Sequence, residues 1–189
     1  MKKVYVFLAD GFEDVEALIP VDVLRRGGLD VTTVSVADDS QVVESAHGVQ
    51  IVADALFNDC DFADADLLLL PGGMPGAQNL YEHGGVRQAV LSQHEAGRRV
   101  AAICAAPAVV LSQIGVLDGR RATCYPGFEQ LLTKASYTGD LVTVDGNVIT
   151  AEGPAAAFPF AYELLSQIVS KEVATQVAEG MRYLHLMAK

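Results

Sequence analysis

The sequence lacks a cluster of basic residues, and it lacks any apolar run that approaches the length of a membrane span. Its 189 residues include 24 acidic and 13 basic ones, which gives a formal net charge of -11 at pH 7. A nucleic-acid site needs Lys and Arg side chains to neutralise phosphates, so we expect no nucleic-acid partner. A helix that crosses a bilayer needs about 20 consecutive apolar residues, so we expect no membrane insertion.

Cysteine and histidine are sparse, and their spacing does not indicate a metal site. The chain has three cysteines, at positions 60, 104 and 124, and four histidines, at positions 47, 83, 94 and 185. An odd set of widely spaced cysteines does not indicate a disulfide framework, and neither set is spaced like metal ligands. The apolar stretch from Val4 to Ala9 is too short for a signal peptide. We therefore expect a cytoplasmic protein without a bound metal.

The sequence does contain apolar runs that alternate with amphipathic segments. The runs predict strands at Lys3–Leu8, Val31–Val36, Asp66–Leu70, Val100–Ile103 and Arg121–Cys124. Turn residues predict hairpins within Val42–Val52 and between Leu141–Val144 and Val148–Thr150. Helices are predicted after Asp10-Gly11 and at Val86–Ala96, Ala105–Ile114, Ala156–Val169 and Glu172–Met187.

The alternation predicts one α/β domain over residues 1–189, with a mostly parallel sheet and helices on both faces. The order of the strands cannot be deduced from the sequence. On the first helix, periodicity places five apolar side chains on one face: Val15, Leu18, Ile19, Val23 and Leu24.

Cys104 is the main candidate for chemistry, because ligands of such sheets bind beyond the carboxyl ends of the strands. It follows the predicted buried strand Val100–Ile103 and precedes a predicted helix. Free amides and the helix dipole at such a position favour a thiolate, which predicts a lowered thiol pKa. The alternative is a small buried residue that only packs.

Two further segments end at the same predicted edge of the sheet. Gly72 and Gly73 follow the strand Asp66–Leu70 and let backbone amides approach an anion without obstruction by a Cβ atom. Glycines after a strand are also common turn formers. Glu16 lies in the first turns of a helix, where a carboxylate usually points to solvent, and spacing does not distinguish it from Glu13.

Six motifs resemble the ThiJ/PfpI superfamily, in the branch of the human parkinsonism-associated protein deglycase and its bacterial relatives. They are Asp10–Glu16, Ile19–Arg26, Leu70–Gly73, Gly76–Asn79, Ala101–Pro107 and Glu152–Pro154. The resemblance extends over nearly the whole chain. It implies a flavodoxin-like fold, a nucleophile elbow at the cysteine and a homodimer built partly on the first helix.

The resemblance also implies the roles of the site residues. Cys104 becomes the nucleophile and oxidation site, and Glu16 its protonated partner. The amides near the sulfur form the anion site, and the remaining candidates line a pocket. The anion site comprises Gly72, Gly73 and Ala105, and the pocket Met74, Tyr125 and Pro154.

The activity implied is that of a cofactor-independent glyoxalase or deglycase, acting on methylglyoxal or glyoxal-derived adducts as small aldehyde substrates. The alternative is an oxidative-stress sensor or redox chaperone that forms a cysteine sulfinate. A peptidase is disfavoured because Ala105 replaces the His that peptidase members carry after the cysteine. Tyr125 stands where the human protein carries a His, and a thiamine-related role is suggested only by the historical family label.

Overall fold

The computed structural model describes residues 1–188, and its centre is one sheet of seven strands. All neighbouring strands are parallel except the pair at one edge, Val142–Asp145 and Val148–Ala151. From edge to edge the strands are β10 (Val142–Asp145), β11 (Val148–Ala151), β7 (Arg99–Ile103), β6 (Leu67–Leu70), β1 (Lys3–Leu8), β2 (Asp30–Ser35) and β5 (Ala55–Leu56).

The two central strands are apolar throughout because both faces of the sheet are covered. All four leucines of β6 are fully buried, and so are the four residues from Val100 to Ile103 in β7. Continuous apolar strands of this kind are typical of parallel sheets between two layers of helices. The predicted flavodoxin-like α/β fold is confirmed.

Two small pairs of strands lie outside the main sheet. The antiparallel hairpin of β3 (Val42–Glu44) and β4 (Gln50–Val52) confirms the prediction around His47-Gly48. The predicted strand Arg121–Cys124 is shorter than expected: β8 covers only Arg121–Ala122 and pairs with β9 (Ser136–Tyr137).

Six α-helices cover the sheet or extend from it. They are α1 (Asp14–Arg26), α2 (Gly76–Glu82), α3 (Gly84–Glu95), α4 (Ala157–Ile168), α5 (Lys171–Gly180) and α6 (Tyr183–Met187). Helix α2 was not predicted. The predicted helix Glu172–Met187 is interrupted at Arg182, whose φ of 64° is left-handed. The predicted helix Ala105–Ile114 contains a π-helical segment, Pro107–Leu111. No helix of the described chain is both long and apolar enough to cross a membrane.

Helix α1 buries a different face from the one predicted. Val23 and Leu24 are fully buried as expected, but Val15 and Leu18 are each 39% exposed. The inward face instead carries Glu16, which is fully buried. A carboxyl group on this face points towards the middle of the sheet rather than to water.

Candidate active site

Cys104 lies at the end of β7 in a strained backbone conformation. Its φ of 65° is left-handed, which an L residue with a Cβ adopts at a cost of about 1–2 kcal/mol. Two hydrogen bonds hold it there: its amide donates to the carbonyl of Ala151 (2.9 Å), and its carbonyl accepts from the amide of Tyr125 (2.8 Å). Strain that the neighbouring backbone maintains in this way is typical of a functional position. The side chain is 8% exposed.

The carboxyl group of Glu16 lies beside this cysteine. Its Oε2 accepts a hydrogen bond from the amide of Gly72 at 2.9 Å, while its buried Oε1 has no hydrogen-bond partner of normal geometry among residues 1–188. The neighbouring Glu13 has a different role, since its Oε2 caps α1 by accepting from the amide of Glu16 (2.9 Å). The structure therefore distinguishes the two carboxylates that spacing alone left open.

Gly72 and Gly73 are glycines for two separate steric reasons. A Cβ atom at Gly72 would lie 2.7 Å from both the Cβ of Cys104 and Oε2 of Glu16. Gly73 has a φ of 86°, and a Cβ there would lie 2.5 Å from the carbonyl oxygen of Gly11. The backbone after β6 thus passes close to both the side chain of Cys104 and the carboxyl group of Glu16.

Burial controls the ionisation of Glu16. The pKa of this carboxyl is raised from 4.5 to about 7; burial is the largest cause and the charge of Glu13 acts in the same direction, whereas contacts with Cys104 and with the Gly72 amide act against them. A buried carboxylate loses its hydration, which favours the protonated form. Glu16 therefore retains its proton in a large fraction of molecules at neutral pH.

The pKa of the Cys104 thiol is raised, and the prediction of a lowered value is wrong. Burial is the largest cause, followed by the charge of Glu16 and the close contact with its carboxyl group, while the amides of Gly73 and Ala105 act in the opposite direction. The local dipole effect exists, but burial beside a carboxylate outweighs it. Two acids this close titrate as a pair, so a thiolate forms most readily when Glu16 holds the proton.

A cavity of about 250 Å³ lies next to the elbow. Tyr125 and Pro154 line it, but Met74 does not, although Met74 is 47% exposed directly after Gly73. The complete lining is Tyr125, Pro126, Glu152, Gly153, Pro154, Ala155 and Ala156. Sequence reasoning identified the segment Glu152–Pro154 but did not single out the carboxylate of Glu152.

The remaining thiols differ from Cys104. Cys124 is fully buried, and burial followed by the charge of Glu129 raises its pKa to about 11. Cys60 is half-buried, and burial raises its pKa as well. Neither has a carboxyl partner comparable to Glu16 among the described hydrogen bonds.

Three of the four histidines make side-chain contacts elsewhere in the described chain. Nδ1 of His83 accepts from the amide of Val86 at the start of α3, and His94 contacts Asn147. Nδ1 of His47 lies 2.5 Å from a carboxylate oxygen of Asp14. Together with Glu13 these two side chains bring ligand atoms within 4.8 Å of one another, a grouping that spacing along the chain did not predict.

Comparison with known proteins gives a consistent result along the chain. The DJ-1/PfpI family matches residues 2–167. Protein DJ-1 homolog B of Arabidopsis thaliana is 42% identical over 179 residues, covering 94% of this chain and 40% of the relative. The chain thus spans less than half the length of the plant proteins it matches, of which homolog A is covered to 45%.

Two animal relatives are covered more completely. Protein dj-1beta of Drosophila melanogaster is 37% identical over 182 residues, covering 95% of this chain and 96% of the relative. The glutathione-independent glyoxalase DJR-1.2 of Caenorhabditis elegans is 32% identical over 162 residues, covering 85% and 84%.

Solved structures agree with the fold. A DJ-1 superfamily protein from Salmonella typhimurium superimposes with a TM-score of 0.92 at 35% identity, covering 96% of this chain and 98% of the other. Oxidized DJ-1 of Toxoplasma gondii gives a TM-score of 0.91 at 33% identity, with the same two coverages. Sequence and backbone similarity therefore extend over the whole sheet that carries Cys104.

Proposed function

Because the chain belongs to the DJ-1/PfpI family, which includes a glutathione-independent glyoxalase, we propose that it is a cofactor-independent glyoxalase or deglycase. Its substrate would be methylglyoxal or a related glyoxal adduct. The observation that carries the proposal is the pairing of a strained cysteine with a buried carboxyl group whose pKa is about 7. This pair provides a nucleophile for the carbonyl carbon of a substrate and an acid for its oxygen.

The first step is the addition of the Cys104 sulfur to the aldehyde carbon. The thiol proton first passes to the ionised Glu16, which leaves a thiolate. The new C–S bond then forms while the carbonyl electron pair moves to oxygen, which takes that proton from Glu16 and gives a hemithioacetal. Glu16 is suited to this transfer because a pKa near the working pH favours proton donation and return. The amides of Gly73 and Ala105 stabilise negative charge on the sulfur before the attack.

The second step is an internal oxidation and reduction within the bound substrate. The ionised Glu16 removes the proton from the former aldehyde carbon to give an enediolate and then returns that proton to the neighbouring carbon. The hydroxyl proton on the former aldehyde oxygen moves to the former ketone oxygen, which leaves a thioester on Cys104 and a hydroxyl group on the adjacent carbon. Water then adds to the thioester carbonyl and the thiol leaves, so methylglyoxal plus one water gives lactate. The aldehyde carbon is oxidised and the ketone carbon is reduced, so no external oxidant or reductant is consumed.

The test is lactate formation by purified protein incubated with methylglyoxal in the absence of glutathione. We expect lactate above the spontaneous rate, and we expect prior alkylation of the protein with iodoacetamide to remove the excess. Heat-denatured protein serves as the control for reaction at surface amines. A rate equal to that of the denatured protein would contradict the proposal.

A second candidate function, a redox sensor or chaperone controlled by oxidation of Cys104, is favoured by the amides of Gly73 and Ala105 beside the sulfur. A related structure of this fold was also solved in an oxidized form. Two peroxide molecules would convert the thiolate through a sulfenate to a sulfinate, and each would be reduced to water. Glu16 in its protonated form could donate to a sulfinate oxygen through the currently unpartnered Oε1.

We expect mild peroxide to add two oxygen atoms selectively to Cys104. Intact-protein mass spectrometry and peptide mapping measure the modification at each cysteine. The fully buried Cys124 and the half-buried Cys60 are internal controls. Equal oxidation at Cys60 and Cys104 would count against a sensor site.

A peptidase mechanism has less support. Ala105 follows the cysteine, and the hydrogen bonds of His47, His83 and His94 involve other parts of the described chain. A Cys–His peptidase needs an imidazole within hydrogen-bond distance of the sulfur. No feature of the site argues for a thiamine-related phosphate ligand.

A further inference from the structure

The cavity beside the elbow is continuous with the backbone that holds Cys104. One wall begins at Tyr125, whose amide donates to the Cys104 carbonyl (2.8 Å). The opposite wall begins at Glu152, which directly follows Ala151, the acceptor for the Cys104 amide (2.9 Å). Both walls therefore start at, or one residue from, backbone that is hydrogen-bonded to Cys104, which places this cavity of about 250 Å³ near the elbow.

The shape of the cavity is fixed by a contact between its two walls. The ring of Tyr125 packs on the backbone of Gly153, because a Cβ atom at Gly153 would lie 2.9 Å from Cδ2 of the ring. The tyrosine is nevertheless 44% exposed, so its other face is open to a ligand. An open aromatic face beside a carboxylate is suited to a cationic group.

The charge of the cavity has one sign. Glu152 is half-buried, and its carboxylate makes no hydrogen bond or ion pair with any residue from 1 to 188. No Lys or Arg lines the cavity. The pKa of nearby Tyr137 is raised by burial and then by the charges of Cys124, Glu129 and Glu152, so the two glutamates act on the same region.

We propose that this cavity is a subsite for the non-reacting end of the substrate, and that Glu152 selects carbonyl compounds that carry a cationic group over those that carry a carboxylate. The assignment of the occupant as substrate rests on the proposed function of Cys104. The charge selection itself does not, because it acts on any reagent that approaches the sulfur. The same carboxylate would repel the hydroxy-acid product and favour its release.

The first experiment measures charge selection without turnover. Methanethiosulfonate reagents with a trimethylammonium, a sulfonate or no charged group transfer an alkylthio group to the Cys104 thiolate, which forms a mixed disulfide as methanesulfinate leaves. Rates are followed by intact-protein mass in a Cys60→Ala background, and each charged rate is divided by the neutral one. This division removes any change in the pKa of the thiol itself.

We expect Glu152→Gln to lower the cation-to-anion rate ratio roughly tenfold, because loss of one charge at a partly exposed site weakens the attraction of the cation and the repulsion of the anion together. Glu152→Lys should reverse the preference. The matched control is Glu179→Gln on the exposed surface of α5, which changes the net charge equally and should leave the ratio unaltered. An equal effect of Glu152→Gln and Glu179→Gln would overturn the proposal, because the selection would then follow net charge alone.

The second experiment links the subsite to turnover. Phenylglyoxals with para trimethylammonium, tert-butyl or carboxylate groups have similar size, and we expect kcat/KM to fall in that order, mainly through KM. Glu152→Gln should reduce the differences in kcat/KM among the three compounds. Equal kcat/KM values for all three in the wild type would contradict the subsite. Absence of turnover with all three, with Glu152-dependent labelling retained, would instead contradict only the glyoxalase proposal.

Discussion

The substitution Cys104→Ala should reduce lactate formation from methylglyoxal to the spontaneous rate, a loss of at least about 1000-fold. The substitution removes the sulfur beside the buried carboxyl group of Glu16, and no other thiol among residues 1–188 lies at such a position. Cys124 is fully buried, and Cys60 lines a separate cavity with Phe57 and Phe62. Lactate is measured enzymatically after single and multiple turnovers.

Two variants separate loss of the nucleophile from loss of the fold. Cys104→Ser keeps the shape of the side chain but has a hydroxyl group that ionises far less readily, so it should be as inactive as Cys104→Ala. Cys60→Ala should keep wild-type activity. All three should remain folded by circular dichroism. Turnover that survives in folded Cys104→Ala would require a different nucleophile and would end the proposal.

The layered fold was predictable because the sequences of its central strands are distinctive. β6 and β7 lie under helices on both sides, and a strand in that position must be apolar throughout. The β3–β4 hairpin was predictable for a local reason, since Gly48 adopts a φ of 77° in its turn. The order of the strands depends on tertiary packing, which the sequence of a single segment does not indicate.

The face that α1 buries was mispredicted because apolar side chains surround much of this helix. Val15 and Leu18 satisfy the same helical period as the buried residues, yet they lie outward with Phe158 and Met181 around a shallow cavity of about 190 Å³. An apolar outward face is what a homodimer through the first helix would use. The predicted homodimer stays a prediction.

The parts of the site were visible in the sequence, but their electrostatics were not. The resemblance assigned Glu16, whereas periodicity treated it as one of several solvent-facing carboxylates. The pKa of Cys104 was predicted from its own strand end, where the amides of Gly73 and Ala105 do favour the thiolate. Burial and the carboxyl group that α1 supplies raise the pKa of Cys104 instead, and both are tertiary effects.

Glu16→Gln should increase the free energy of unfolding at pH 8 by about 3 kcal/mol and change it little at pH 4. The folded-state pKa of Glu16 is about 7, against 4.5 for an unperturbed group. The folded protein binds this proton more tightly than the unfolded chain does. The stability that results is fully present below pH 4.5 and is lost as the pH rises through 7. Each unit of difference between the two pKa values corresponds to about 1.4 kcal/mol of stability. Glutamine has no proton to lose, so the variant keeps this stability at pH 8.

Thermal unfolding at several pH values measures this difference, which for a chain of this size corresponds to about 6–12 °C at pH 8. Glu179→Gln, an exposed carboxylate on α5, is the control and should show no pH-dependent gain. Glutamine can still accept from the Gly72 amide through its carbonyl oxygen, so the stabilised variant should keep the site intact. It should nevertheless lose turnover at least about 100-fold, because it cannot supply a proton to the substrate oxygen. A variant with equal stability gains at pH 4 and pH 8 would show that Glu16 does not ionise in the folded protein over this range, and the acid–base role assigned to it would be wrong.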